Sequence, residues 1–275
     1  MLRRQRTGSV ICSSCGVLVG VNDDKCYNCG RRNPGMWGFA PLLRSLGRDL
    51  GFIPFVMGTC VVVYVLTLIA SGGMMNQVSP LSLLGPSQAA LLLFGESGAV
   101  PIFIYHRWWT VLSAAWLHAG LLHILFNMMA ARNLGFAMAD LIGPSRTVII
   151  YTVSGVAGFL LSSTVGVPYT MGASASICGL LGAMLHYGRK SGSSMIHTYA
   201  VQYALMLVVM GFAMSGIDNY AHAGGFAGGY AVSAFFNPLT RERGDHMLVA
   251  IICLVASFLA IAYGVIHGLT IGLYR

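Results

Sequence analysis

Ser174 and His222 stand in long apolar stretches of the sequence, and each is a residue type that does chemistry when placed beside the other. A serine hydroxyl is a weak nucleophile until a neighbouring base takes its proton. A histidine is the commonest such base. An attacked carbonyl also needs hydrogen-bond donors for its oxygen as negative charge gathers there. His123 and Asn127 are four residues apart, so on a helix they share one face, and both side chains can donate. The backbone N–H of Ser174 is a third candidate donor. His118 lies in the same apolar segment as His123, and Gly172 comes two residues before Ser174. Each residue also has an ordinary role. A serine in an apolar helix often bonds its own i−4 carbonyl, and a histidine often donates to a neighbouring helix. The chemical reading rests on the combination.

The elements that must position these groups are membrane spans. Of 275 residues, 56% are hydrophobic and 9% charged, whereas soluble domains are about 25% charged. Apolar stretches reach the roughly 20 residues that cross a bilayer. Seven are expected, at about 52–71, 108–131, 146–164, 172–188, 197–215, 219–236 and 247–270. None resembles a cleavable signal peptide. Loop one, about 72–107, holds Pro80, Pro86 and Pro101 and reads as short pieces in the outer interface, with a re-entrant segment as the alternative. Eight Lys/Arg precede the first span, and the second, fourth and sixth loops carry Arg132 and Arg146, Arg189 and Lys190, and Arg241 and Arg243. The positive-inside rule then puts the N-terminus in the cytoplasm. The net charge of +8 follows this topology and does not point to nucleic acid.

With that topology, His118, His123, Ser174 and His222 all fall toward the outer side, although none was used to assign it. Ionisable groups at membrane depth default to function. Gly225, Gly229 and Ser233 form a small-residue stripe after His222, and Gly179 and Gly182 follow Ser174. Such stripes let two helices approach closely, as a short serine side chain needs if it is to reach a histidine on another helix. Cys60, Cys178 and Cys253 read as small buried hydrophobes. His186, His197, His246 and His267 are given no role.

A second chemistry sits at the N-terminus. Cys12-Ser13-Ser14-Cys15-Gly16 and Cys26-Tyr27-Asn28-Cys29-Gly30 are two Cys-x-x-Cys-Gly units, each resembling a zinc knuckle. Four thiolates make a closed tetrahedral site. A reducing cytoplasm favours metal over disulfides. Zn2+ is expected, with redox pairs or iron as alternatives. So short a segment buries little core, so the metal would supply folding energy.

The central segment resembles the rhomboid family of intramembrane serine proteases. The resemblance is carried by Trp116-Leu117-His118-Ala119-Gly120-Leu121-Leu122-His123-Ile124-Leu125-Phe126-Asn127, by Gly172-Ala173-Ser174, and by Ala221-His222-Ala223-Gly224-Gly225, across about 52–237. It implies a Ser174–His222 dyad with no essential carboxylate, and no cofactor for catalysis. His123, Asn127 and the Ser174 N–H would form the oxyanion site, with His118 and Gly172 in support. Three positions depart from the family pattern: Ala175 in place of glycine, Cys178 in place of an aromatic that stacks on the base, and Arg107-Trp108-Trp109-Thr110 in place of a Trp-Arg pair.

The expected organisation is an all-α polytopic membrane protein. A four-cysteine zinc-ribbon-like module occupies 1–32, a basic linker 33–50, a six-helix rhomboid core 51–237, and a loop with an additional seventh helix 238–275. The expected function is an endopeptidase cutting transmembrane protein substrates near the outer face of a bacterial inner membrane. The alternative is an inactive rhomboid-like scaffold that binds transmembrane clients. A transporter would show intramembrane charge pairs or inverted repeats, and neither is present. Two roles fit the zinc module: binding a cytoplasmic partner, or capping the N-terminus.

Overall fold

The computed structural model describes residues 4–12, 15–41, 49, 51–73, 83–240, 242 and 244–271. Arg3, Arg44, Arg48, Arg241 and Arg243 of the charge pattern, and Pro80 of loop one, lie outside these residues.

The N-terminal module is a hairpin of β1 (Ser9–Ile11) and β2 (Leu18–Gly20), paired antiparallel with Val10 opposite Val19. A small apolar cluster of Val10, Cys12, Val19, Val21 and Cys26 lies beneath it. The chain beyond residue 32, read above as linker, folds back on this module. Gln5 N–H donates to Gly38 O at 3.0 Å, and Ala40 is buried.

Nine helices follow among the described residues: α1 (Phe52–Ala70), α2 (Gln88–Phe94), α3 (Thr110–Ser113), α4 (Leu121–Ile142), α5 (Pro144–Thr164), α6 (Ser174–Ser191), α7 (Ser194–Ala213), α8 (Asn219–Phe235) and α9 (Gly244–Thr270). Their ends carry ordinary local signals. Asp49 accepts from the N–H groups of Gly51 and Ile53 at the start of α1, and Ser87, Ser193 and Asp218 cap α2, α7 and α8. Pro144 opens α5, and Gly192 in the left-handed region closes α6.

Seven of these helices are long, as expected, but two boundaries differ. The second span is not one straight helix. It breaks at Leu117–Gly120, and the two parts meet at 93°. Its main part then runs on to Ile142, so Arg132 lies on an exposed face within α4 rather than in a loop. Helices α1, α5, α7 and α9 are each long and apolar enough to cross a membrane, and the bent pair makes a fifth candidate. α6, whose last turns carry His186, Arg189 and Lys190, and α8, with 17 residues, fall short of that measure. α6 packs against α5, α7 and α8.

The core of the bundle is the contact of α5, α6 and α8. A Cβ on Gly225 would run into Ala175 O, and one on Gly229 into Gly179 O. Gly182 faces Phe226 O in the same way. The glycine stripe therefore does what its spacing predicts: it brings the backbones of α6 and α8 into contact. Ser233 ends the stripe on a hydrogen bond of 2.9 Å to His186, a histidine given no role above.

The last helix is built into the fold rather than added outside it. Phe258 of α9 packs on Phe55 and Trp116, and Tyr263 and His267 pack on Trp109. At the other end of the bundle, buried Arg146 donates to Asn237 O, Thr240 O and His246 Nδ1, at 3.2, 2.8 and 3.2 Å. That one side chain joins the start of α5 to the loop between α8 and α9. Loop one is likewise pinned: Tyr64 OH donates to Leu84 O at 2.7 Å, and Ser97 pairs with Thr170.

Candidate active site

The segment before α6 is extended and runs beside loop one. Ser97 N–H donates to Thr170 O at 3.1 Å, and Thr170 N–H returns a bond of 2.8 Å. Gly172 N–H then donates to Ala114 O at 2.9 Å, which fixes the chain two residues before Ser174. Gly172 has φ +119°, a value glycine adopts freely. A Cβ there would sit 2.8 Å from His123 Nε2 and 3.7 Å from Ser174 Oγ. Its missing side chain thus lets the imidazole and the hydroxyl share one small volume.

Ser174 is the first residue of α6. The first bond of the helix runs from Ile177 N–H to Ala173 O, so the Ser174 N–H stands outside the ladder. His123 lies in the first turn of α4, just after the break. Its Nδ1 accepts from Ala119 N–H at 3.2 Å. In the neutral ring the proton is therefore on Nε2, the atom facing Gly172. Asn127 donates one amide hydrogen to His123 O at 2.8 Å, which holds the side chain along α4 and leaves the second hydrogen free.

Ser174, His123, Asn127 and His222 all line one cavity of about 390 Å³. Phe126 and Ala130 of α4 and Leu207 and Met210 of α7 form its apolar walls. The structure brings together four of the expected residues from three helices. The Ser174 hydroxyl and the His222 ring border this space without a hydrogen bond between them. Apo geometry of this kind is common where the bond tightens only on a bound substrate. His118 is elsewhere. It is fully buried behind His123, with ring centroids 5.2 Å apart, and neither ring nitrogen has a hydrogen-bond partner among the described residues.

Asp218, four residues before His222, is a cap rather than a third member of a triad. Its Oδ1 accepts from Ala221 N–H at 3.0 Å, and Oδ2 accepts from buried Ser162 Oγ of α5. Among the described residues no carboxylate hydrogen-bonds the His222 ring. The Ser162–Asp218 clamp has no counterpart in the sequence reading, since nothing in either segment signals a partner on another helix. It fixes the first turn of α8, and with it the position of His222. The arrangement can supply a nucleophile, a base and three oxyanion donors.

A rhomboid domain model matches residues 105–239. This chain is similar to the rhomboid protease GluP of Bacillus subtilis (strain 168), with 32% identity over 163 residues, covering 58% of this chain and 32% of the relative. RHOMBOID-like protein 1 of Arabidopsis thaliana is 31% identical over 176 residues, covering 59% of this chain and 45% of the relative. The inactive RHOMBOID-like protein 8 of the same plant is 32% identical over 151 residues, covering 52% and 42%. Residues 105–239 are thus a rhomboid domain. The chain spans about a third to a half of the length of these relatives.

Two of the departures from the rhomboid pattern have local explanations. The Ala175 methyl has room because Gly158 of α5 lies opposite; a Cβ on Gly158 would be 2.9 Å from Ala175 Cβ and 2.5 Å from Ala221 O. Arg107 is fully buried and donates to Leu92 O and, at 3.1 Å, to Gly264 O, with its guanidinium over Trp109. The sequence Arg107-Trp108-Trp109 thus links loop one to α9. At the third departure, Cys178 is buried and leaves space beside His222.

The four N-terminal cysteines meet as expected. Their sulfurs lie within 4.8 Å of one another, with Cys12–Cys29 at 3.8 Å and Cys15–Cys26 at 3.4 Å, and no disulfide forms. A tetrahedral zinc with Zn–S of about 2.3 Å sets sulfurs about 3.8 Å apart, so the donor set fits such an ion. Gly16 N–H and Gly30 N–H close the two knuckle turns on Cys12 O and Cys26 O, both glycines at positive φ. The backbone N–H of Val17 draws the Cys15 thiol down to about 6, whereas desolvation, helped by the neighbouring sulfurs, pushes Cys29 up to about 11.

Proposed function

We propose that the protein is an intramembrane serine endopeptidase. Ser174 attacks the scissile carbonyl while His222 takes its proton and later returns it to the leaving amine. Water then releases the acyl group by the same route. His123 Nε2–H, the free Asn127 amide hydrogen and the Ser174 N–H receive the oxyanion. The observation that carries this reading is the single cavity bordered by Ser174, His222, His123 and Asn127. The printed name of GluP, a rhomboid protease, supports it. The substrates are transmembrane segments, which reach the site through the apolar wall between α4 and α7. On the charge pattern, the N-terminus is cytoplasmic and the site opens toward the outer face of a bacterial inner membrane.

The four-cysteine module and the following linker stand before the core, and α9 completes it. Cys12, Cys15, Cys26 and Cys29 hold a Zn2+ ion that supplies folding energy to the module and takes no part in hydrolysis. The module binds a cytoplasmic partner or caps the chain. The alternative reading, an inactive client-binding scaffold, is favoured by the named inactivity of RHOMBOID-like protein 8. The two readings separate in one experiment. Purified protein in liposomes is given a fluorogenic transmembrane substrate and a fluorophosphonate probe. The protease reading expects cleavage and labelling by wild type and loss of both in Ser174→Ala, with His222→Ala losing cleavage. A folded wild type that neither cleaves nor labels would establish the scaffold.

A further inference from the structure

A second cavity, of about 410 Å³, lies beside the first and shares His222 and Leu207 with it. Ala204, Leu207, Val208 and Phe212 line it from α7, at the spacing of one helix face, and Cys178 lines it from α6. α7 packs against α6 but barely meets α8, and only Ala200 and Gly211 of α7 are buried. The bilayer is therefore the neighbour of this space.

The lining selects the occupant. Only Asn219 and His222 bring polar side chains, and the Asn219 amide already donates to Gly211 O at 3.0 Å. Ordered water needs two to four polar partners, and the site does not offer them. Ser174, His123 and Asn127 do not border this cavity. The His222 ring has no hydrogen bond and makes no stacked or edge contact with an aromatic ring among the described residues, although a general base must be held in orientation to work.

We propose that this cavity is a lipid site, in which one acyl chain of a membrane phospholipid enters beside α7 and packs against the flank of His222. The acyl chain fills the space that the small Cys178 side chain leaves. The second half of the proposal, that the chain steadies the base, rests on the protease reading; the first half does not.

The test uses the full chain in nanodiscs that contain a phosphatidylcholine with a diazirine near the end of one chain. After irradiation, labelled peptides are mapped by mass spectrometry. Label is expected on cavity residues of α6 and α7. It should drop several-fold in Ala204→Phe and in Cys178→Phe, which fill the space from opposite sides, while label on outward-facing Val209 is unchanged. Equal cavity labelling in wild type and both filled variants overturns the site. Displacement of the label by a transmembrane substrate peptide also overturns it, because the occupant is then substrate. In a parallel arm, activity is measured in lipid-stripped detergent with and without added phospholipid. Wild type should lose most of its activity without lipid, and Cys178→Phe should keep it. Equal lipid dependence in the two overturns the steadying role. If no variant cleaves anything under any condition, the protease reading fails, and the labelling still decides the lipid site.

Discussion

His123 is held from behind by a backbone N–H, so on the protease reading the Nε2 proton points forward before any substrate arrives. Asn127 is held in the same way through its own helix. Donors preset in this manner cost no reorganisation when charge develops. Asn127→Ala should therefore lower kcat by about 10²- to 10³-fold with little change in KM, as measured with a fluorogenic substrate in liposomes. A comparable rise in KM with kcat intact would mean that Asn127 binds substrate in the ground state. These residues are legible in the sequence because a polar group at membrane depth has few other reasons to be there. Ser162 and Cys178 are not legible in the same way. The hydrogen bond from Ser162 to Asp218 crosses between helices, and the space beside Cys178 exists only because α7 stands away from its neighbours.

At the scale of elements, the α6–α8 contact decides whether Ser174 and His222 face one cavity. Gly229→Ala places a methyl against Gly179 O, which is backbone and cannot swing aside. The expected cost is about 1–3 kcal/mol, seen as a lower melting temperature, with activity lost below that temperature because the two helices are spread. Loop one offers a pH-dependent counterpart. Glu96 is buried beside Gln88, and burial pushes its carboxyl up to about 8. The folded protein therefore binds this proton more tightly than the unfolded chain. The associated stability is full below the ordinary carboxylate range and is lost as pH rises through about 8. Melting temperature should fall between about pH 4.5 and pH 8 in wild type and level off above, and this part of the fall should vanish in Glu96→Gln; an identical slope in the variant would remove Glu96 as its source. Helix number is legible from apolar length, but the bend at Leu117–Gly120 is not. The bend residues, Leu117-His118-Ala119-Gly120, lie in a segment that is apolar enough overall for one straight span, and hydropathy carries no direction. The burial of Glu96 is equally hidden, because its cover comes from distant parts of the chain.

For the whole molecule, the cysteine module and the helical core draw stability from different sources. The module has three buried valines and four thiols that could hold a metal, and an ion bound there would supply much of its order. Chelation should release one zinc per chain and expose the amides of residues 4–40 to rapid hydrogen exchange, with the melting of the core unchanged. Failure to recover any zinc from purified protein would return the site to its redox or iron alternatives. The core is closed at opposite ends by two buried arginines. Arg146 ties α5 to the loop before α9, and Arg107 ties loop one to α9 itself.

The Arg107 tie also imposes an order on biosynthesis. The carbonyl that Arg107 needs belongs to Gly264, 157 residues further along the chain. During synthesis, loop one leaves the ribosome long before α9 exists, and until α9 inserts, the guanidinium lacks that acceptor. This tie of loop one, which flanks the segment leading to Ser174, thus closes only after the last helix has been made. A nascent chain already carrying Ser174 and His222 would lack this tie until then, and on the protease reading its membrane neighbours would be spared premature cutting.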